Sequence, residues 1–389
     1  MDNNHQIQVN NISDDAKKSF KNRLIVGAIL IAIVLPCIMI GNYTFMCLIF
    51  LASVISTHEI IKAPQSIEKK FKNIIYVFAY LMMVLLVYWT FARRLMDAYL
   101  NFEYVLKPLD STQVFSYALY TDFNSPTISI SAFAFSMVFL FLMVLIDKNF
   151  TIHDAFYFIG MLFIVSLGYQ AMMYLRFYPF TAISNQISTL NNQITSLTNA
   201  DAAGNADKIN ELKDLVKTLT NKLTDPWFKY GESACLFIYM CFGTLMSDTG
   251  AYIVGMLFGK HKLCPNISPK KTIEGFVGGI VFSLVVTLSF AFGLVFTGHD
   301  LVYGLLDANH WYFIVILSLL MPLISTFGDL LFSSVKRGYQ IKDFGKVLQS
   351  HGGVLDRVDS VLITSILLGL IIPLFSEILK YIATFVKWK

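Results

Sequence analysis

The sequence is short of charge. Asp, Glu, Lys and Arg make up 14% of its 389 residues, while 56% are hydrophobic and 15% aromatic. A soluble domain carries about a quarter charged residues, so that class is excluded. A net charge of +4 is too small to point to nucleic acid. The five cysteines, Cys37, Cys47, Cys235, Cys241 and Cys264, show no CxxC or zinc-type spacing. Four of them sit in apolar runs as small packing residues. No GxxxxGK[ST] loop occurs, which excludes a P-loop nucleotide site. The opening stretch, MDNNHQIQVNNISDDAKKSFKNR, is polar and too long for a signal-peptide n-region. No small-residue cleavage site follows the apolar segment behind it, which reads as a retained span.

Apolar runs are what the sequence has in abundance. About 20 helical residues cross the hydrocarbon of a bilayer. Runs approaching or exceeding that length lie at 24–40, 43–57, 73–92, 131–147, 155–175, 233–255, 276–297, 311–332 and 360–385. The expectation is an all-α, polytopic integral membrane protein with about nine transmembrane helices. The first pair is separated only by Gly41-Asn42, and Pro373 should kink the last span. With the N-terminus inside, the cytoplasmic segments hold roughly twice the Lys and Arg of the external ones, the outside set including Arg93, Arg94 and Lys107. The basic loops at 259–273 and 333–359 are two spans apart and so must share a side. Residues 183–224 are polar, with Ile187, Leu190, Ile194, Leu197, Leu212, Leu215 and Leu219 at three-four spacing around ADAAGNAD. That pattern predicts a polar helical hairpin with a narrow apolar seam. The chain thus divides into a cytoplasmic tail (1–23), an N-terminal transmembrane region (24–180), an external hairpin insertion (181–228) and a C-terminal transmembrane region (229–389).

Four aspartates stand out against this background: Asp248, Asp329, Asp356 and Asp359. Carboxylates in membrane helices are costly and mark polar cavities or ion paths. The topology puts all four at one depth on the cytoplasmic side. Asp356 and Asp359, three apart, share a helix face. They also open a helix, whose free N–H groups favour anions such as phosphate. Gly352 and Gly353 would let backbone approach a ligand closely. Lys270, Lys271, Lys336, Arg337, Lys342 and Arg357 supply more positive charge than a simple cation path needs. Carboxylates, basic residues and glycine turns together suit a metal–polyphosphate.

SSVKRGYQIKDFGKVLQSHGGVLDRVDS (333–360) closely resembles the signature of phosphatidate cytidylyltransferases. Ser333, Lys336, Arg337, Lys342, Asp343, Gly345, Leu348, His351, Gly352, Gly353, Asp356, Arg357 and Asp359 fall in register, while Gln349 stands where the family usually has Pro or Gly. SDTGAYIVGMLFGKHKLCPNISPKKTIEGFVGG (247–279) and STFGDLLFSS (325–334) are also similar, and upstream only HEI (58–60) is. The resemblance implies transfer of CMP from CTP to phosphatidic acid, giving CDP-diacylglycerol and pyrophosphate, at the inner face of the plasma membrane. It implies Mg²⁺, as one ion or a pair, held by Asp329 and Asp356 with Asp248 nearby and Ser333 as an oxygen ligand. Lys270, Lys271, Lys336 and Arg337 would hold the triphosphate and the lipid phosphate, with Gly352 and Gly353 in the same binding turn. Lys342, Asp343 and Arg357 belong to the implied catalytic set. His351 would contact a phosphate, orient an aspartate or be structural, and Asp359 would bind in the site or pair with Arg357 or another basic neighbour. A homodimer is compatible with the family. The alternatives are a CTP-dependent polyprenol or dolichol kinase, which would transfer the γ-phosphate, and a cation-coupled transporter.

Overall fold

The computed structural model describes residues 29–65, 70–84, 86–87, 134–201, 204–347 and 352–386. The N-terminal tail, Arg93, Arg94, Lys107, Leu348, Gln349 and His351 lie outside the described residues. Ten helices follow in order: α1 (Ile29–Ile40), α2 (Asn42–Gln65), α3 (Asn73–Val84), α4 (Ala134–Ile146), α5 (Ile152–Asp201), α6 (Ala206–Thr224), α7 (Ser233–Phe258), α8 (Ile273–Phe296), α9 (Trp311–Gly338) and α10 (Leu355–Val386). A two-stranded antiparallel ribbon, β1 (Lys262–Cys264) and β2 (Ser268–Thr272), joins α7 to α8.

The all-α, membrane-spanning expectation holds, and the count of about nine spans is not confirmed over the described residues. Among the described residues, six helices are long and apolar enough to cross a bilayer: α2, α5, α7, α8, α9 and α10. The other three expected spans coincide with α1, α3 and α4, which are shorter apolar helices over the described residues. This is a multi-pass membrane protein whose outer face carries bare aliphatic and aromatic side chains, such as Val277, Val281 and Val285 along α8.

The break after α1 has a local cause. Gly41 adopts φ +64°, the left-handed conformation that ends helices and that glycine takes without steric cost. Arg176 of α5, 2% exposed, donates to the last α1 carbonyls, from Nε to Ile38 O (2.6 Å) and from Nη2 to Met39 O (3.1 Å), and from Nη1 to Ser233 Oγ (3.0 Å). A buried guanidinium is thus satisfied by helix-end oxygens. α10 runs through Pro373 without a break in the helix.

α7 and α8 are drawn together by small residues, as membrane helices commonly are. Gly250, Gly275, Gly278 and Gly279 leave no room for a side chain between them. Ser283 Oγ donates to Gly243 O (2.8 Å) across the same seam.

α5 is a single 50-residue helix that continues beyond its apolar stretch to form the first arm of the hairpin, with α6 as the second. Ile187, Leu190, Leu219 and Leu223 are buried in the seam with Phe180, Ile183 and Phe228, and Leu212 and Leu215 pack beside them. Ile194 and Leu197, farther out, are only half-buried. Lys222 pairs with buried Glu232 (2.7 Å), which His299 also contacts (3.0 Å), and tucks over Tyr303. Burial pushes the nearby Asp300 carboxyl above its usual range, with Lys222 opposing. The hairpin therefore rests on the 297–310 loop. α8, at 24 residues, holds that loop roughly 36 Å from β2.

A Cβ at Gly279 would lie 2.7 Å from the Ser247 carbonyl oxygen, a backbone atom that cannot step aside. Gly279→Val should therefore cost about 1–3 kcal/mol and lower the unfolding midpoint in detergent. An unchanged midpoint would contradict this packing.

Candidate active site

The site forms where the ends of α7, α9 and α10 meet the β-ribbon. Side chains alternate along a strand, so adjacent Lys270 and Lys271 differ. Lys270 is exposed, while Lys271 is half-buried and pairs with Asp329 Oδ2 at 2.5 Å. Thr272 ends β2 and caps α8, its hydroxyl accepting from Gly275 N (3.1 Å). Glu274 in the first turn of α8 accepts from Lys260 N (3.1 Å) and His261 N (3.2 Å) and binds His261 Nδ1 (2.6 Å). These bonds fasten the ribbon to the helix that follows it.

α9 carries Asp329, Ser333, Lys336 and Arg337 over its last three turns. The Ser333 hydroxyl reaches Asp329 Oδ1 at 3.4 Å. Gly328 permits close contact with α10, since a Cβ there would lie 3.0 Å from Ile363 Cβ and 3.2 Å from Ser360 Cα. That approach sets Asp329 within electrostatic reach of Asp359 of α10 and Asp248 of α7. Ser360 donates its N–H to Asp359 Oδ1 (2.7 Å).

Lys336 is buried at the hub of this cluster. Its Nζ lies 2.9 Å from Asp356 Oδ1, 3.8 Å from Asp359 Oδ2 and 5.5 Å from the centre of the Phe344 ring. The shared helix face expected for Asp356 and Asp359 is what lets one ammonium serve both. Asp356 Oδ2 accepts from Phe344 N (2.8 Å) and Gly353 N (3.0 Å). The carboxylates thus form a gradient, with Asp248 exposed, Asp329 half-buried and Asp359 buried. Arg337 is exposed and donates to Ile267 O and Ile341 O, both at 3.3 Å. The bond to Ile267 shows directly that the two basic loops share one end of the bundle. Lys342, Asp343 and Arg357 are exposed on the same end.

One expectation needs correcting. Three amides at the start of α10 are taken by carboxylates rather than left to a phosphate. Gly353 N is taken by Asp356, and Val354 N and Leu355 N by Glu59 of α2 at 2.9 and 2.8 Å. The close approach at Gly353 is to the Glu59 carboxylate, and only Gly352, at φ +79°, keeps a left-handed turn. Sequence reading noted Glu59 only within HEI (58–60) and gave it no place in the site. Ending the second span at 57 left it in a loop, whereas α2 continues to Gln65 and buries it to 1% exposure. An acid six residues from the end of an apolar helix was the signal that could have found it.

A family model described as the Cytidylyltransferase family matches residues 21–375. The chain belongs to the cytidylyltransferase family. Among curated proteins, it is 41% identical over 127 residues to a phosphatidate cytidylyltransferase of Staphylococcus haemolyticus, covering 33% of this chain and 45% of that protein. It is 41% identical over 138 residues to one of Bacillus subtilis, covering 36% and 47%. The chain thus spans a little under half the length of these curated relatives. Within this family member, the Asp–Lys cluster draws its side chains from β2, α7, α9 and α10.

Because Lys336 sits between two buried carboxylates, Lys336→Met should destabilise the fold by about 3–5 kcal/mol, the cost of stranding a buried charge. Adding Asp356→Asn should return part of that loss, with a coupling of at least about 1 kcal/mol in a double-mutant cycle. Strictly additive effects would contradict the pairing.

Proposed function

We propose that this chain transfers CMP from CTP to phosphatidic acid, giving CDP-diacylglycerol and pyrophosphate for phospholipid synthesis. The observation that carries the reading is the cluster of Asp248, Asp329, Asp356 and Asp359 threaded by Lys271 and Lys336 at one end of a membrane bundle. The family and the names of its relatives give that chemistry its substrate class.

The reaction joins a lipid phosphate oxygen to the α-phosphorus of CTP while the bond from that phosphorus to the bridging oxygen of pyrophosphate breaks. The attacking oxygen is already anionic, so no base is needed to remove a proton. The barrier is the approach of two anions, which cations in the site must relieve. Lys270 and Arg337 are exposed at the rim and suited to collect the triphosphate and lipid headgroup. Lys271, on Asp329, marks the boundary between rim and buried cluster.

The donor set fits a hard divalent cation. Among the described residues no three Asp, Glu, His or Cys side chains converge to cage one. Mg²⁺, however, typically binds through one or two carboxylates plus substrate phosphates. Asp329 and Asp356 would hold it, with Asp248 and Ser333 at hand and the chemistry allowing a second ion. When bound, it would neutralise nucleotide phosphate oxygens. Asp356 Oδ1 now faces Lys336, which has a second partner in Asp359 already 3.8 Å away.

A bilayer-facing bundle keeps the diacylglycerol tails in the leaflet while the polar end meets soluble CTP. The basic loops at that end favour the cytoplasmic side of the plasma membrane.

Asp329→Asn and Asp356→Asn should each reduce turnover of CTP with phosphatidate by about 100-fold or more, while the purified variants stay folded. Pyrophosphate release near the wild-type rate in either variant would sink the assignment of these carboxylates.

A further inference from the structure

Glu59 lies within the second helix, and a carboxylate there is costly unless strongly held. Its holders are backbone amides 295 and 296 residues away, those of Val354 and Leu355. These are among the first N–H groups of α10, which have no partner within the helix and carry the positive end of its dipole. Gly345 and Gly353 press on the same carboxylate so closely that a Cβ at either would collide with it. Glu59 therefore sits between Gly345 and the Gly353–Leu355 start of α10. Asp356 closes the remaining gap, bonding Phe344 N and Gly353 N from the other side. The segment so held, Gly353–Leu355, leads directly into Asp356, Arg357 and Asp359.

We propose that Glu59 is a positioning residue for the transfer reaction, bracing Gly353–Leu355 against Gly345 so that Asp356 and Asp359 stand at the right depth against Lys336 and Asp329. The proposal rests on the cytidylyltransferase reading above. It also explains where substrate phosphate goes. With the Gly353, Val354 and Leu355 amides occupied by Asp356 and Glu59, phosphate charge falls mainly to the lysine and arginine rim.

The test uses the full chain in detergent. Glu59→Gln keeps the size and one acceptor oxygen, but sets an NH₂ group against an amide donor. Turnover is measured at varied CTP, and amide hydrogen exchange is followed peptide by peptide. The brace predicts a fall in kcat of about 10-fold or more with KM for CTP within about 3-fold. It further predicts exchange faster by about 10-fold in peptides covering 353–356, with α7 and α8 unchanged. If Glu59→Gln proves too unstable to purify, Gly345→Ala crowds the same carboxylate and should give the same pattern. A kcat within twofold of wild type would overturn the proposal. So would faster exchange spread evenly over the chain, which would mark Glu59 as a general stabiliser. Failure of the wild-type chain to turn over CTP would instead remove the transfer reading on which the proposal stands.

Discussion

Charge buried among apolar helices has to be neutralised where it lies, and Lys336 is where this molecule meets that demand. An ammonium at the end of α9 can stay buried only if anions are brought to it. Asp356 and Asp359 do so from the first two turns of α10. Desolvating such charges is expensive, and their attraction offsets the cost only when geometry is good and remaining hydrogen bonds are met. Asp356 meets that condition through two backbone amides, and those amides belong to the loop that must connect the two helices. The ion pair, the loop path and the start of α10 are therefore one solution to one problem. Asp329 joins the cluster because Gly328 lets α9 and α10 touch, and Lys271 follows because β2 alternates.

The two ends of the bundle handle charge differently. At the site end, carboxylates and lysines grade from buried to exposed. At the far end, Arg176, Glu232, Lys222 and His299 tie helix ends and hairpin together. The first arrangement suits the collection of soluble anions and the second a fixed scaffold. That contrast favours placing the chemistry at the α9–α10 junction and leaving the hairpin outside it.

Much of this was legible in sequence. Apolar length marked every helix of the bundle, although three fall short of spanning length over the described residues. Three-four spacing from Ile187 to Leu219 gave the hairpin, because a seam of leucines at that interval can bury only as paired helices. Asp248, Asp329, Asp356 and Asp359 were recognisable because carboxylates are rare in such segments. What sequence could not show was pairing across long separations. Nothing near Glu59 points to Val354, and nothing near Arg176 points to Ile38. The helix-start reading of 352–356 failed for the same reason, since a free amide and one capped by a distant carboxylate have the same local sequence.

The central claim is that this site moves the α-phosphate of CTP onto a lipid phosphate. It is tested most directly with purified chain, phosphatidate-containing detergent micelles, Mg²⁺ and CTP labelled separately at the α- and γ-phosphates. The account predicts α-label in the organic phase, γ-label in aqueous pyrophosphate, and neither without phosphatidate. Label from the γ-phosphate in the lipid, with CDP released, would contradict it.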